Sequence, residues 1–373
     1  MGYTPPPSFC LTFQPNTMAA LDISKLVRSD LWFDDGNIVL IAEHVAFKVH
    51  QGQLERHSDI FQDLFSVPQP ENQTLFDGCA WVELHDSPSD LLYLLRALYD
   101  GLYFELPSSN DFPEISSVLR LSTKYMIDHL RRRCLLRFHS DWPVTLAGWD
   151  ARECIATDTN GRYNPRDTYP HPLLVISLAL ELGIDNILPT AYYDLSRYGP
   201  RRIVSGTPLP PPLLFPPSQF TEAKDTTMEP ELLKLDYDDL RVIFLGRESA
   251  QRHVAGFIDQ ELASRPISIG CLNKHNDDGR ICRESFYYIM LNLLRAVGGI
   301  SHGRDADPLY SLGQTVDMLT RTDFSDGEKL CGLKICIACK SDLTTSVETE
   351  RKEVWDEIPN WFGLEERKPI EMK

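Results

Sequence analysis

The sequence predicts an N-terminal α/β domain, a short mixed sheet with a helical cluster, followed by a mostly α-helical C-terminal region. Three observations lead there. The run Ile38-Val39-Leu40-Ile41 is apolar and β-branched and follows the turn signal Asp34-Asp35-Gly36-Asn37, so it predicts a buried strand. In Val45-Ala46-Phe47-Lys48-Val49 the residues Val45, Phe47 and Val49 share one face at period two while Ala46 and Lys48 point away, which predicts a half-buried hairpin partner. From Leu54 onward the apolar spacing turns helical, with Ser58 placed to cap a helix whose inner face is Ile60, Phe61, Leu64 and Phe65.

The same stretch carries a family pattern. In Phe47-Lys48-Val49-His50-Gln51-Gly52-Gln53-Leu54-Glu55-Arg56-His57-Ser58-Asp59-Ile60-Phe61 a strand Phe and a His precede a helix Leu, and a Ser followed by a Phe opens the next helix. This resembles the signature of BTB/POZ domains. With Asp30-Leu31-Trp32-Phe33-Asp34-Asp35-Gly36-Asn37 upstream, it resembles the form expanded in mushroom-forming fungi. The likeness is strong from Ser29 to Phe138 and patchy beyond, where Glu350 to Leu364 is similar to the charged helix and aromatic closing turn of those proteins.

The resemblance implies a non-enzymatic role in protein–protein interaction, with homodimers formed through the BTB domain. Apolar surface of the first helices, at Leu54, His57 and Phe61, would join the arm before Ser29 in a two-fold interface. BTB proteins commonly act as substrate adaptors for cullin-type ubiquitin ligases or in transcriptional complexes. Where cullin adaptors often place an apolar residue two before a Glu, this chain has Gln69-Pro70-Glu71, a departure from that pattern.

Composition sets outer limits. A chain of 373 residues with 42% hydrophobic content is long enough for two or three domains with sizeable cores. Its 37 Lys+Arg against 54 Asp+Glu give a net charge of −17, which opposes attraction to phosphate backbones or anionic lipids, so nucleic acid is not an expected partner. Met1 to Thr17 has prolines and no basic n-region with an apolar core behind it, and Pro6 occupies the position where N-myristoylation wants Ser or Thr. No apolar run approaches the roughly 18 residues of a membrane span. The expectation is an intracellular protein, cytoplasmic or nuclear, without a membrane partner.

Along the chain, residues 1–28 are expected as a leader or arm and 29–140 as the BTB/POZ-like domain. Within the latter, Trp81-Val82-Glu83-Leu84 alternates like a strand. Ser87, Pro88 and Asp90 then open a helix with core face Leu91, Leu94, Leu95 and Leu98, ending before Gly101. Two more helices follow Asp111-Phe112-Pro113 and Asp128, the second with Leu130, Cys134, Leu135 and Phe138 inward and Arg131, Arg132 and Arg133 on a solvated face. Residues 141–170, rich in Asp, Asn, Gly, Pro and Arg, predict a linker. Residues 171–262 form a helical extension interrupted by the Pro-rich segment 205–217, a polyproline tether, with a helix break at Gly246. Residues 263–373 are a Cys-containing helical region.

That last region holds the chemistry-bearing residues. Nine cysteines, an odd number in a chain without a secretory signal, argue against a disulfide framework. Cys336-Ile337-Ala338-Cys339 has the two-residue gap that lets two thiolates meet one tetrahedral ion. The candidate set for a structural zinc is Cys331, Cys336, Cys339 and Cys271, with Cys282, His275 and His302 as other ways to complete the shell; buried free thiols are the competing reading. No other cofactor and no catalytic residue is expected. The G-x-S-x-G, P-loop, dinucleotide-binding, kinase and H-E-x-x-H patterns are missing, and Gly298 to Gly303 predicts a helix terminus and loop. A metal-dependent enzyme in residues 271–364 is the rival class.

Overall fold

The computed structural model describes residues 25–67, 75–104, 106–213, 215, 231–297, 306–322, 324–326 and 329–364; side chains are described except at 296–297, 325–326 and 329–331. Residues 1–24 of the expected leader, the Gln69-Pro70-Glu71 departure and the Gly298 to Gly303 loop with His302 lie outside the described residues. The chain divides into two compact units, one drawn from Met1–Asp100 and Pro212–Lys224, the other from Gly101–Pro211 and Asp225–Lys373.

The first unit is a mixed four-stranded sheet with helices. Its strands β1 (Val27–Trp32), β2 (Ile38–Ala42), β3 (Val45–Val49) and β4 (Ala80–Leu84) lie in the order β1-β3-β2-β4. β2 and β3 form an antiparallel hairpin that sets Leu40 opposite Phe47, while β1 runs parallel to β3 and β4 parallel to β2. β1 opens at Val27, two residues inside the expected leader. Every residue of β3 is buried, Ala46 and Lys48 included, where the period-two pattern predicts one open face. The reason is that β3 is an interior strand, and its second face is covered by a cluster of Val39, Ile41 and Ala46 ringed by Leu26, Trp32, Phe76, Cys79 and Trp81. Lys48 keeps its charge satisfied there, donating from Nζ to Asp77 Oδ2 at 2.9 Å.

Helices α1 (Gln51–His57), α2 (Asp59–Ser66) and α3 (Pro88–Tyr99) follow the sequence expectation closely. Ser58 Oγ accepts from the Phe61 amide and Ser87 Oγ from the Asp90 amide, with Pro88 opening α3. These caps satisfy amides that the first helical turn leaves without intrahelical partners. Leu54 and Phe61, expected at a partner surface, are 0% exposed and belong to the unit's own core; His57 is half-buried. These two enclosed side chains are not available to a second copy, whereas Ile60, Leu64 and Phe65 of α2 are half-buried. The returning segment docks on the same unit, as Leu213 N donates to Ser89 Oγ at 3.0 Å and the Phe215 ring meets Phe47 edge-on at 6.2 Å.

The second unit is helical. It comprises α4 (Phe112–Lys124), α5 (Asp128–Asp141), α6 (Leu146–Ile155), α7 (Pro165–Thr168), α8 (Pro172–Leu182), α9 (Leu188–Ser196) and α10 (Pro200–Ser205), then α11 (Tyr237–Phe257), α12 (Lys274–Asp277), α13 (Arg280–Val297), α14 (Pro308–Thr320) and α15 (Ile337–Trp361). Two short ladders, Thr207–Pro208 with Leu232–Leu233 and Phe324–Asp326 with Lys329–Cys331, complete it. Part of the Pro-rich segment is therefore paired strand rather than a bare tether. α4 and α5, expected in the first domain, belong here; they pack on each other, α4 against α8 and α5 against α6.

The expected linker 141–170 instead contains α6 and α7 and supplies some of the largest enclosed side chains, Trp142, Trp149, Arg152 and Tyr169. Arg152 is fully enclosed, its guanidinium carbon 4.7, 4.7 and 4.4 Å from the ring centres of Trp142, Trp149 and Tyr169. A core made of aromatic rings around a cation leaves no aliphatic periodicity to read. α11 likewise runs unbroken through Gly246. That glycine does not end the helix; a Cβ there would overlap the ring of Phe362, which packs on the helix after α15 ends.

Candidate metal centre

The C-terminal cysteines converge. The sulfurs of Cys271, Cys282, Cys336 and Cys339 all lie within 4.8 Å of one another, although the first pair is more than fifty residues from the second. Cys271 Sγ is 3.8 Å from Cys282 Sγ and 3.8 Å from Cys336 Sγ. A disulfide needs about 2.05 Å, so these are separate thiols.

Local structure explains each position. Cys271 ends a turn in which its amide donates to Ser268 O. A tight reversal at Asp278 and Gly279, with φ of 56° and 71°, then turns the chain into α13, whose first turn holds Cys282. Gly279 is required twice over, by its left-handed backbone and because a Cβ would stand 2.6 Å from Ile267 Cδ1. Cys336 and Cys339 sit at the N-terminus of α15, as the N-cap residue and in the first turn. The two-residue gap puts both sulfurs at one helix end, where free amides and the helix dipole favour negative charge.

The surroundings are donor-rich. Cys282 Sγ accepts from the Cys336 amide at 3.4 Å and from Asn273 Nδ2 at 3.3 Å, and Cys339 Sγ accepts from the Ser268 amide at 3.4 Å. Cys271, Cys282 and Cys339 are buried and Cys336 is half-buried. Desolvation works against the Cys336 thiolate, yet the amides of Cys339 and Leu272 and the neighbouring thiols bring its pKa down to about 6. Desolvation raises Cys282 and Cys339 instead. A cation at the centre would draw protons off the thiols.

Among the described residues Cys271, Cys336 and Cys339 come together with Cys282, which the sequence offered as another way to complete the shell. The backbone of Cys331 closes a short ladder, and its side chain is outside the described residues. His275 lies on α12, exposed and not part of the set. Cys282 was legible only as one of several candidates, because ten residues separate it from Cys271 and the reversal at Gly279 that cancels this distance has no metal-site signature.

The second unit also has a cleft of about 640 Å³ between α6, α14 and α15, lined by Trp149, Glu153, Tyr163, Asp307, Asp317 and Arg351 among others. Its carboxylates are engaged: Glu153 and Asp307 accept from Arg197 at 2.8 and 2.9 Å, and Asp150 pairs with Arg351. Comparison with protein-family models and with curated proteins finds no match for the chain. Among the described residues no helix is long and apolar enough to cross a membrane.

Proposed function

We propose that Cys271, Cys282, Cys336 and Cys339 hold one structural zinc ion, and that the chain serves as a non-enzymatic protein-binding scaffold whose helical unit this ion clamps. One observation carries the zinc reading. A tetrahedron of sulfurs at zinc's bond length of about 2.3 Å has edges of about 3.8 Å, and two of the sulfur–sulfur distances are 3.8 Å. Four thiolates also fill the tetrahedral shell, leaving no position for water or substrate, as in structural rather than catalytic sites. The amide donors around Cys282 and Cys339 would hold the sulfurs in place and spread their charge. Elemental analysis of the full-length chain purified without added metal tests this. About one equivalent of zinc, with thermal stability lowered by a chelator, is the expected result; zinc far below one equivalent with stability unmoved by chelation would leave four buried thiols.

A second reading concerns the first unit, as a BTB/POZ-type self-association module. It is supported by the agreement between the family pattern and the local folding of this chain: Phe47 in the hairpin, Leu54 in α1, and Ser58 capping the helix that buries Phe61. Because Leu54 and Phe61 are internal, the partner surface would come from the remaining faces of β1 and α1. Hydrogen exchange of the full-length chain, dilute against concentrated, should show added protection in Val27–Trp32 or Gln51–His57; unchanged exchange there at all concentrations would remove self-association through this unit.

A further inference from the structure

Helix α13 buries one face and, among the described residues, leaves the other largely exposed. Cys282, Phe286, Ile289 and Leu293 point inward, at 0, 2, 0 and 1% exposure. On the opposite side Glu284, Tyr288, Leu291 and Arg295 form one exposed row, spaced four, three and four residues apart. Tyr288 and Leu291 are each 39% exposed, and Tyr287 and Leu294 flank them at 59 and 45%. Alternating four- and three-residue steps are the seam spacing of a two-helix packing, with the apolar pair in the middle and one charge of each sign at the ends.

The order of that row selects the occupant. When α13 is laid antiparallel on a second α13 about a two-fold axis between positions 289 and 290, Glu284 of one copy falls opposite Arg295 of the other. Tyr288 falls opposite Leu291, and the symmetry repeats both pairs. A parallel arrangement would set Glu284 against Glu284 and Arg295 against Arg295, which like-charge repulsion disfavours. A row that complements its own inversion fits a second copy of this chain. Two neighbours hold it ready. The Tyr288 ring stands edge-on to Phe324 at 5.2 Å, and Glu284 accepts from Arg280 Nε at 2.7 Å in a pair exposed to solvent and free to exchange. Among the described residues Arg295 makes no ion pair within the chain.

We infer that the exposed face of α13 is a two-fold contact between copies of this chain, with the helices antiparallel and the pairs Glu284–Arg295 and Tyr288–Leu291 at its centre. The contact is a single helix pair, so association is reversible and concentration-dependent rather than permanent. It uses no residue of the cysteine cluster and is independent of any self-association through the first unit.

Sedimentation velocity of three full-length proteins across the micromolar range tests the contact: the native chain, Arg295→Glu, and the doubly exchanged Glu284→Arg/Arg295→Glu. All changes are at exposed positions, and circular dichroism with zinc content checks that each protein keeps its fold. Any association through the first unit is common to all three. Arg295→Glu should weaken the α13 step at least about tenfold by setting like charges opposite each other, and the exchanged protein should recover to within about threefold of the native chain. Association of Arg295→Glu at native strength would overturn the inference, as would failure of the exchange to restore it or the absence of any α13-dependent step in the native chain.

Discussion

Arg152 and Asp194 form an ion pair closed off from water, with Nη2 2.8 Å from Oδ2 and side chains 0 and 3% exposed. Asp194 also accepts from Arg166 and Arg197, each at 2.6 Å, so one carboxylate ties together α6, α7 and α9 and the residue after it. Desolvation alone would raise its pKa, but the three guanidinium groups hold it well below the ordinary carboxylate value. Asp194→Asn should destabilise the second unit by about 3–5 kcal/mol, since it leaves enclosed cations short of a counter-charge. Chemical denaturation measures this; a loss under about 1 kcal/mol would show that water reaches the pair.

The same carboxylate sets an acid limit. A depressed folded pKa means that its contribution is fully present above the unfolded value near pH 4, and is lost as the pH falls towards the folded value. The native chain should therefore lose stability more steeply below about pH 4 than Asp194→Asn does. Parallel acid titrations followed by circular dichroism would refute this by superimposing after correction for the offset.

Cys282→Ser and Cys331→Ser separate the two versions of the metal centre. With Cys271, Cys282, Cys336 and Cys339 as the ligands, the first substitution should lower zinc well below one equivalent and the second should leave it unchanged. The opposite pattern, read by elemental analysis, would place Cys331 in the ligand set instead of Cys282.

Gly246 and Gly256 lie on the same helix, α11, and should respond to alanine with opposite signs. At Gly246 the new methyl would meet the Phe362 ring, whereas at Gly256 it meets nothing within 4 Å. Gly246→Ala should cost about 1–3 kcal/mol through overpacking, and Gly256→Ala should add up to about 1 kcal/mol through helix propensity. Two substitutions of the same sign, measured by thermal unfolding, would mean that Phe362 is not seated on α11.

Phe47→Ala removes a fully enclosed ring from the first unit, whose neighbours include Phe215. A cost of about 3–5 kcal/mol is expected for that unit. A smaller change, below about 1 kcal/mol, would place the ring at a surface.

The first unit was legible because its signals are local. Ser58 and Ser87 cap the helices their sequence positions announce, and Ile38 to Ile41 is as buried as its composition demands. Sequence misplaced what depends on distant partners. The interior position of β3 follows from β1 pairing on its far edge, which nothing within Val45–Val49 reveals. The 141–170 stretch looked like a linker because Trp142, Trp149 and Arg152 are buried against one another and against Asp194, an arrangement without apolar period. Cys336 and Cys339 declared themselves by spacing, whereas Cys282 is brought in by the backbone reversal at Gly279.

The division of each unit between separate stretches of chain affects how the nascent protein matures. Phe47 meets Phe215 only after all of Gly101–Pro211 has left the ribosome, so the N-terminal sheet is made early and finished late. Cys282 and Cys336 are 54 residues apart, an interval of roughly 3–11 s at about 5–20 residues per second. During it Cys271 and Cys282 are present without the second pair, and Gly246 without Phe362. Through those seconds a thiol-reducing environment would keep Cys271 and Cys282 from oxidising before their partners arrive.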